Sequence, residues 1–299
     1  MAKQKAFLHI GLPRSGGDLL DAALRRHAGT LADDRGRPVR LPARSEMEMF
    51  NAAVEIRREH RAWGLRRKDI EGSWAALCRR AIKNKDTVVL GHPLLAGCTP
   101  DEIALLVDQL PGCAVHVVVT VGTPDPRIAL FPDEYDLASV LDRWSAAVRS
   151  PDRVHVLAVD PFRPQDAWHA LGSVIGVDTH ALELPTAPVP ATDPAALRLL
   201  AESVGDLATY ADLESVPEEW AKLVADRGYD VRGDLAGLAT ATPVPGSSAQ
   251  HQLDTVADAL SETVAEVVRL RTRASELEQR NAKLERKRLS LKRKLARVG

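Results

Sequence analysis

Within eight residues near the amino end, Gly11-Leu-Pro-Arg-Ser-Gly-Gly-Asp18 gathers three glycines, a cation, a hydroxyl and a carboxylate. Glycines let backbone amides come close to an anion, and the first turn of a following helix adds N–H donors and the positive end of its dipole. Pro13, Arg14, Ser15, Gly16, Gly17 and Asp18 are therefore candidate anion-binding positions, with Arg14 placed to stabilise negative charge. The spacing from Gly11 to Gly16 is that of a Walker A loop, but Gly17 and Asp18 stand where Lys and Ser or Thr would hold phosphate and Mg²⁺. That substitution argues against a nucleotide triphosphatase, and no G-x-G-x-x-G supplies a dinucleotide fingerprint. About 4 Å from a phosphate, the Asp18 carboxylate would cost about 1 kcal/mol in water and several where partly buried. The same carboxylate favours the helix start when no anion is bound. Arg14 thus has two readings, a ligand for the anion or a partner for Asp18 across an empty loop.

His92 follows the apolar run Thr87–Leu90 and is the candidate acid–base residue; its alternative is a hydrogen-bonded residue at a strand end. His9 and His116 lie inside apolar runs and read as satisfied core histidines. Cys78, Cys98 and Cys113 form no C-x-x-C pair, which leaves no zinc or thioredoxin-like pattern and fits a reduced, cytoplasmic compartment. "RREHRAWGLRRK", Arg57 to Lys68, is basic enough to meet an anionic group, or to be a solvated helix face. The first residues, MAKQKAFLHIG, lack the apolar core of a secretory signal. The longest apolar stretch, Val115–Val121, is interrupted by His116 and Thr120 and is too short to span a bilayer.

These residues need a scaffold. Ala6–Ile10, Thr87–Leu90, Val115–Val121 and Val154–Val159 read as buried strands. Helical patterns at Asp18–His27, Ser45–Glu59, Ser73–Lys83, Asp101–Leu110 and Leu137–Val148 alternate with them. Alternation of this kind predicts an α/β fold with a mostly parallel sheet flanked by helices. Ligands then sit beyond the carboxyl ends of the strands, at loops 11–17, 91–98 and 122–133. Leu182–Pro194 is Pro-rich and irregular, helices are expected near Ala195–Ala208 and Pro217–Arg227, and residues 239–250 read as a flexible linker.

Beyond the linker the period becomes seven. Leu270, Leu277, Leu284 and Leu291 fall at successive d positions and Asn281 at a, the pattern of a parallel two-stranded coiled coil over 251–299. The expected partner is a second copy of the chain. From Arg271 to Gly299 there are eleven Lys or Arg and three Glu, against a formal net charge of -1 for all 299 residues. A basic end on an acidic body suits nucleic acid or an acidic partner, the body itself included. In a basic-region zipper the basic part precedes the leucines, whereas "RKRLSLKRK", Arg286 to Lys294, overlaps them.

"HIGLPRSGGDLL" resembles the 5′-phosphosulfate loop of sulfotransferases that use 3′-phosphoadenosine 5′-phosphosulfate. With "TVVLGHPLLAG" at Thr87–Gly97, "VHVVVTVGTPDP" at Val115–Pro126 and "RGYDVRGDLAGL" at Arg227–Leu238, residues 5–238 resemble actinobacterial sulfotransferase-like proteins. The resemblance implies a P-loop-like α/β domain over 1–238 that moves a sulfuryl group from that cofactor to the hydroxyl of a small-molecule acceptor. The loop amides would hold the 5′-phosphate, with Arg14 in place of the family's Lys and Ser15 and Gly16 matching. Gly17 and Asp18 replace two hydroxyl residues. His92 would be the base, with Pro93 where related sequences often carry Glu. Gly122 stands where an Arg for the 3′-phosphate is expected, and Arg127 is the nearby substitute. Two other readings fit the same sequence: a non-catalytic scaffold that dimerises through its coiled coil, and a nucleic-acid-associated dimer that uses the basic tail.

Overall fold

A computed structural model describes residues 3–13, 15–124, 128, 132–148, 150–185, 213 and 215–239. The chain divides into two units, and these residues all fall in the first, Met1–Ala187 with Ala211–Pro243. The coiled coil 251–299, the helix near 195–208, nearly all of the linker 239–250, Arg14 and Arg127 lie outside the described residues.

Six strands make one sheet: β1 (Gln4–His9), β2 (Val39–Arg40), β3 (Thr87–Gly91), β4 (Cys113–Val121), β5 (Val154–Ala158) and β6 (Asp230–Arg232). Their order is β2-β3-β1-β4-β5-β6, and every adjacent pair is parallel. The helices are α1 (Gly17–Arg26), α2 (Glu46–Ile56), α3 (Arg67–Ile70), α4 (Ser73–Ile82), α5 (Pro100–Asp108), α6 (Pro132–Tyr135), α7 (Leu137–Val148), α8 (Pro164–Ile175) and α9 (Val216–Asp226). No helix among the described residues is long and apolar enough to cross a membrane.

Side-chain alternation decides which face each strand residue serves. In β1, Ala6 and Leu8, followed by Ile10, join a core with α2, α4, α5, α7 and α9, while Phe7 joins a second core with α1 and α8. β4 repeats the division, with Val117, Val119 and Val121 on the first face and Val118 on the second. His9 and Thr120 therefore belong to the α1 face. A one-residue slip would drive both into the larger apolar core, so burial fixes their register. Trp74 and Trp144 anchor the first core and Trp168 the second.

The connection from β1 to β2 runs leftward past β3 on the α1 face, and that from β3 to β4 runs rightward past β1 on the α5 face. The chain leaves β1 towards one face and β4 towards the other. Between their carboxyl ends lies the switch-point crevice that binds ligands in open α/β sheets. The expected strands and helices that fall on described residues stand within a few residues of their predicted ends. The two-residue β2 and the three-residue β6 carry no mark in the sequence reading, because two or three residues hold no readable period; the twelve-residue α8 was missed although Ala167, Trp168, Leu171 and Ile175 recur at helical spacing.

Two buried indoles differ in one hydrogen bond. Trp168 Nε1 donates to the Leu182 carbonyl at 3.0 Å, whereas Trp144 Nε1 has no partner among the described residues. A buried unmet donor costs about 1–3 kcal/mol. In urea unfolding, Trp144→Phe should therefore cost at least about 1 kcal/mol less than Trp168→Phe, although both lose similar volume.

Candidate functional site

The turn from β1 into α1 is built by close approach. A Cβ on Gly11 would overlap the Thr120 hydroxyl, and one on Gly17 would lie 2.8 Å from it. Gly16 caps α1 with φ 80°, a left-handed conformation, and a Cβ there would sit 2.9 Å from Val159 Cγ1. On the other side of the crevice, a Cβ on Gly122 would stand 3.1 Å from Ser15 Cα. The loops after β1 and β4 are thus in backbone contact, and position 122 cannot carry the expected arginine without moving the β1 loop.

Ser15 N–H donates to the Leu12 carbonyl at 3.1 Å. The next three amides, of Gly16, Gly17 and Asp18, meet no acceptor among the described residues, and α1 has no side-chain cap. Gly17 is itself buried. Amides with no acceptor among the described residues, at a helix start flanked by close-packed glycines, suit the oxygens of a phosphate or sulfate.

Behind the loop runs a chain of polar side chains closed from solvent. Ser15 Oγ lies 2.9 Å from Thr120 Oγ1, which lies 3.2 Å from His9 Nε2; His9 Nδ1 lies 2.7 Å from Asp21 Oδ1. Ser15 is 4% exposed, Thr120 0%, His9 2% and Asp21 7%. Burial opposes charge on His9, but the field and hydrogen bond of Asp21, joined by the field of Asp18, outweigh it and raise its pKa above the ordinary value. His9 was expected to be a satisfied core histidine; it is satisfied, by partners that lead to the loop.

Asp18 sits in the first turn of α1 with an exposed side chain. Its pKa is raised, first by partial desolvation and then by Asp21 and Glu46, against relief from His9 and Arg25. The crevice beside the orphan amides thus carries Asp18, Asp21 and Glu46, with Arg25 reaching Glu46 at 3.7 Å.

His92 follows β3, and its amide donates to the His9 carbonyl at 3.1 Å, which brings it beside the loop. Its Nδ1 accepts the Leu94 amide at 3.2 Å. A nitrogen that accepts carries no proton, so in the neutral ring the proton is on Nε2. Burial, against Asp21 and Glu46, lowers its pKa and keeps the ring neutral. The segment after His92 is clamped: Arg57 donates to the Leu94 carbonyl at 3.1 Å, and Arg143 to those of Ala96 and Cys98 at 3.1 and 3.0 Å. Arg57 also pairs with Glu59 and Glu134, while Arg66 and Arg67 pair with Asp69 and Glu71. Much of the first basic cluster is therefore spent on structure.

The remaining candidates lie elsewhere. His116 Nδ1 shares a 3.0 Å hydrogen bond with His155 Nε2, and His155 Nδ1 meets Asp230 at 2.8 Å. Burial, then His155, pushes His116 down to about 4. Burial pushes the Cys78 and Cys98 thiols up to about 12, which leaves them poor nucleophiles. Sequence reasoning missed the Ser15–Thr120–His9–Asp21 chain; the signal was a polar residue near the carboxyl end of each of two apolar strands.

No family model matches the chain, and no curated protein does. Among solved structures, the sulfotransferase domain from the Synechococcus PCC 7002 olefin synthase is similar over 76% of this chain and 94% of that one, at 17% identity and a TM-score of 0.35.

Because the Asp18 pKa is raised, its ionised form opposes folding at neutral pH. The proton is held more tightly in the folded state, so the penalty is full above the raised value and vanishes below the ordinary carboxylate range. Asp18→Asn should raise Tm at pH 7, and the gain should fade as pH falls through 5 to 4, as followed by thermal unfolding.

Proposed function

We propose that the α/β domain binds a sulfate- or phosphate-bearing nucleotide at the β1–α1 turn, and that this ligand is 3′-phosphoadenosine 5′-phosphosulfate. The observation that carries the reading is the row of amides at Gly16, Gly17 and Asp18 with no described acceptor, over a turn that excludes side chains. The likeness of the loop sequence to the 5′-phosphosulfate loop supports the choice of nucleotide.

In this reading the amides and the Ser15 hydroxyl hold the 5′-phosphate, and Arg14 neutralises charge on its bridging oxygen. When bound, the cofactor supplies an activated sulfuryl group. A hydroxyl acceptor enters beside His92. With Nδ1 engaged by Leu94, His92 presents Nε2–H and first orients the acceptor oxygen as a donor. Taking the acceptor's proton requires a lone pair on Nε2, hence a shift of the ring proton to Nδ1 and loss of the Leu94 bond. The 3′-phosphate is left to Arg127, since Gly122 offers no cation. The coiled coil 251–299 pairs two copies in a cytoplasmic homodimer, and its basic end is free for nucleic acid or an acidic partner.

A second reading, a non-catalytic scaffold, is favoured by the acidic surroundings. Asp18, Asp21 and Glu46 flank the amides, and the described part of the crevice has only Arg25 against them.

Thermal unfolding with adenosine 3′,5′-bisphosphate separates the two. A ligand at one hundred times its Kd adds about 2.7 kcal/mol. The cofactor reading expects a clear rise in Tm at millimolar nucleotide, larger than with adenosine 5′-monophosphate. An unchanged Tm with both favours the scaffold.

A further inference from the structure

Behind the loop, four side chains from the β1–α1 segment and β4 form one unbranched hydrogen-bonded chain, and its proton order has two states. With His9 as imidazolium, Nδ1–H donates to Asp21 and Nε2–H to Thr120 Oγ1. The Thr120 hydroxyl is then free to donate to Ser15 Oγ, which releases the Ser15 proton to point into the loop. With His9 neutral and its proton kept on the Asp21 side, Nε2 accepts from Thr120. Thr120 must then accept from Ser15, and Ser15 turns only lone pairs towards the loop. A neutral His9 with its proton on Nε2 would instead set the Nδ1 lone pair against the Asp21 carboxylate at 2.7 Å.

We propose that Asp21, His9 and Thr120 are positioning residues that order these protons, so that Ser15 donates to an anion in the loop only when His9 is charged and anion binding takes up a proton. This rests on the anion-binding reading above and adds the selectivity of the site. In that charged state the loop takes at Ser15 a pure acceptor, such as a sulfate or fully ionised phosphate oxygen.

The surroundings support the charged state. Asp21 and Asp18 face His9 from α1, and Thr120 from β4 is neutral. From the β3 side Gly91 presses on the His9 Cβ, and the neutral His92 touches only the His9 carbonyl. Glu46 at the start of α2 and Arg25 act on Asp18 and His92. A bound anion adds negative charge on the same side and draws His9 further towards imidazolium.

Titration calorimetry of the full chain tests this, with inorganic sulfate and adenosine 3′,5′-bisphosphate as probes, in buffers of low and high ionisation enthalpy. Asp18→Asn serves as the background, so that Asp18 contributes no proton. Proton uptake should approach one per site above the His9 pKa, and affinity should fall by up to roughly tenfold per pH unit there. Thr120→Ser should keep the uptake; Thr120→Val should lose it while amide binding persists. His9→Gln should also bind without uptake. Should that variant not fold, the ring nitrogens of His9 followed by NMR in the Asp18→Asn protein should move to imidazolium shifts on adding sulfate. Anion binding with no proton uptake, or equal uptake in Thr120→Val, overturns the relay and leaves the anion site standing. Sulfate binding with uptake but no nucleotide binding keeps the relay and removes the nucleotide. Binding of neither probe overturns both.

Discussion

The 2.7 Å pair between His9 and Asp21 is the constraint on which the site rests. It ties the last residue of the first strand to the second turn of the first helix, and so fixes the angle at which α1 leaves the sheet. Burying these two groups is costly unless every polar atom finds a partner. The chain meets that demand through Thr120 and Ser15, and meets it at the expense of side chains around it. A Cβ at Gly91 would come 2.8 Å from His9 Cβ and 3.1 Å from Asp21 Oδ1, and one at Gly17 within 3.5 Å of the His9 ring. The glycines of the loop thus serve two needs: they let an anion near the amides, and they leave room for the pair behind them.

Two electrostatic effects compete in front of that pair. The amides of the first turn and the dipole of α1 favour an anion, by about 0.3–1 kcal/mol for the dipole at an exposed helix end. Asp18 opposes it by a similar amount. Opposing effects so nearly matched let a proton or a single guanidinium decide the outcome. This is why the raised pKa values of Asp18 and His9 matter more here than their exposure suggests. Each makes the loop more receptive as pH falls, Asp18 by losing a charge and His9 by gaining one.

Much of the scaffold was legible because the strands are buried on both faces. A run such as Val115–Val121 has few alternatives to an interior parallel strand. The loop was legible for the same reason in reverse, since Gly11, Gly16 and Gly17 interrupt an apolar pattern where only close backbone approach explains them. The edge strands were hidden because they owe their conformation to a neighbour; Val39 and Arg40 are a strand only because Thr87 and Val88 lie beside them. The polar chain was hidden by distance. His9 and Thr120 stand 111 residues apart, and no local period shows that β4 lies against β1 and not against β3. Each was visible singly, as a polar residue where the strand pattern wants an apolar one. Their meeting is a property of strand order, which one sequence does not state. His92 was visible as a residue at a strand end, but the nitrogen bearing its proton depends on the Leu94 amide.

The same sheet face holds a second polar chain, His116–His155–Asp230, and the comparison shows what separates structure from function. Both chains begin at a carboxylate and pass through a histidine whose Nδ1 meets that carboxylate. The second runs from Asp230 and His155, near the amino ends of β6 and β5, to the ring of His116, which packs 4.8 Å from Phe7. Pushed down to about 4, His116 stays neutral across the physiological range. The first chain ends at a hydroxyl beside three amides that meet no acceptor among the described residues, and its histidine is shifted the other way. Polar chains that begin alike therefore differ in consequence through their last atom. One closes on an aromatic ring and fixes the packing of three strands. The other opens on the amides at the start of α1, where the order of its protons would change what the loop can hold.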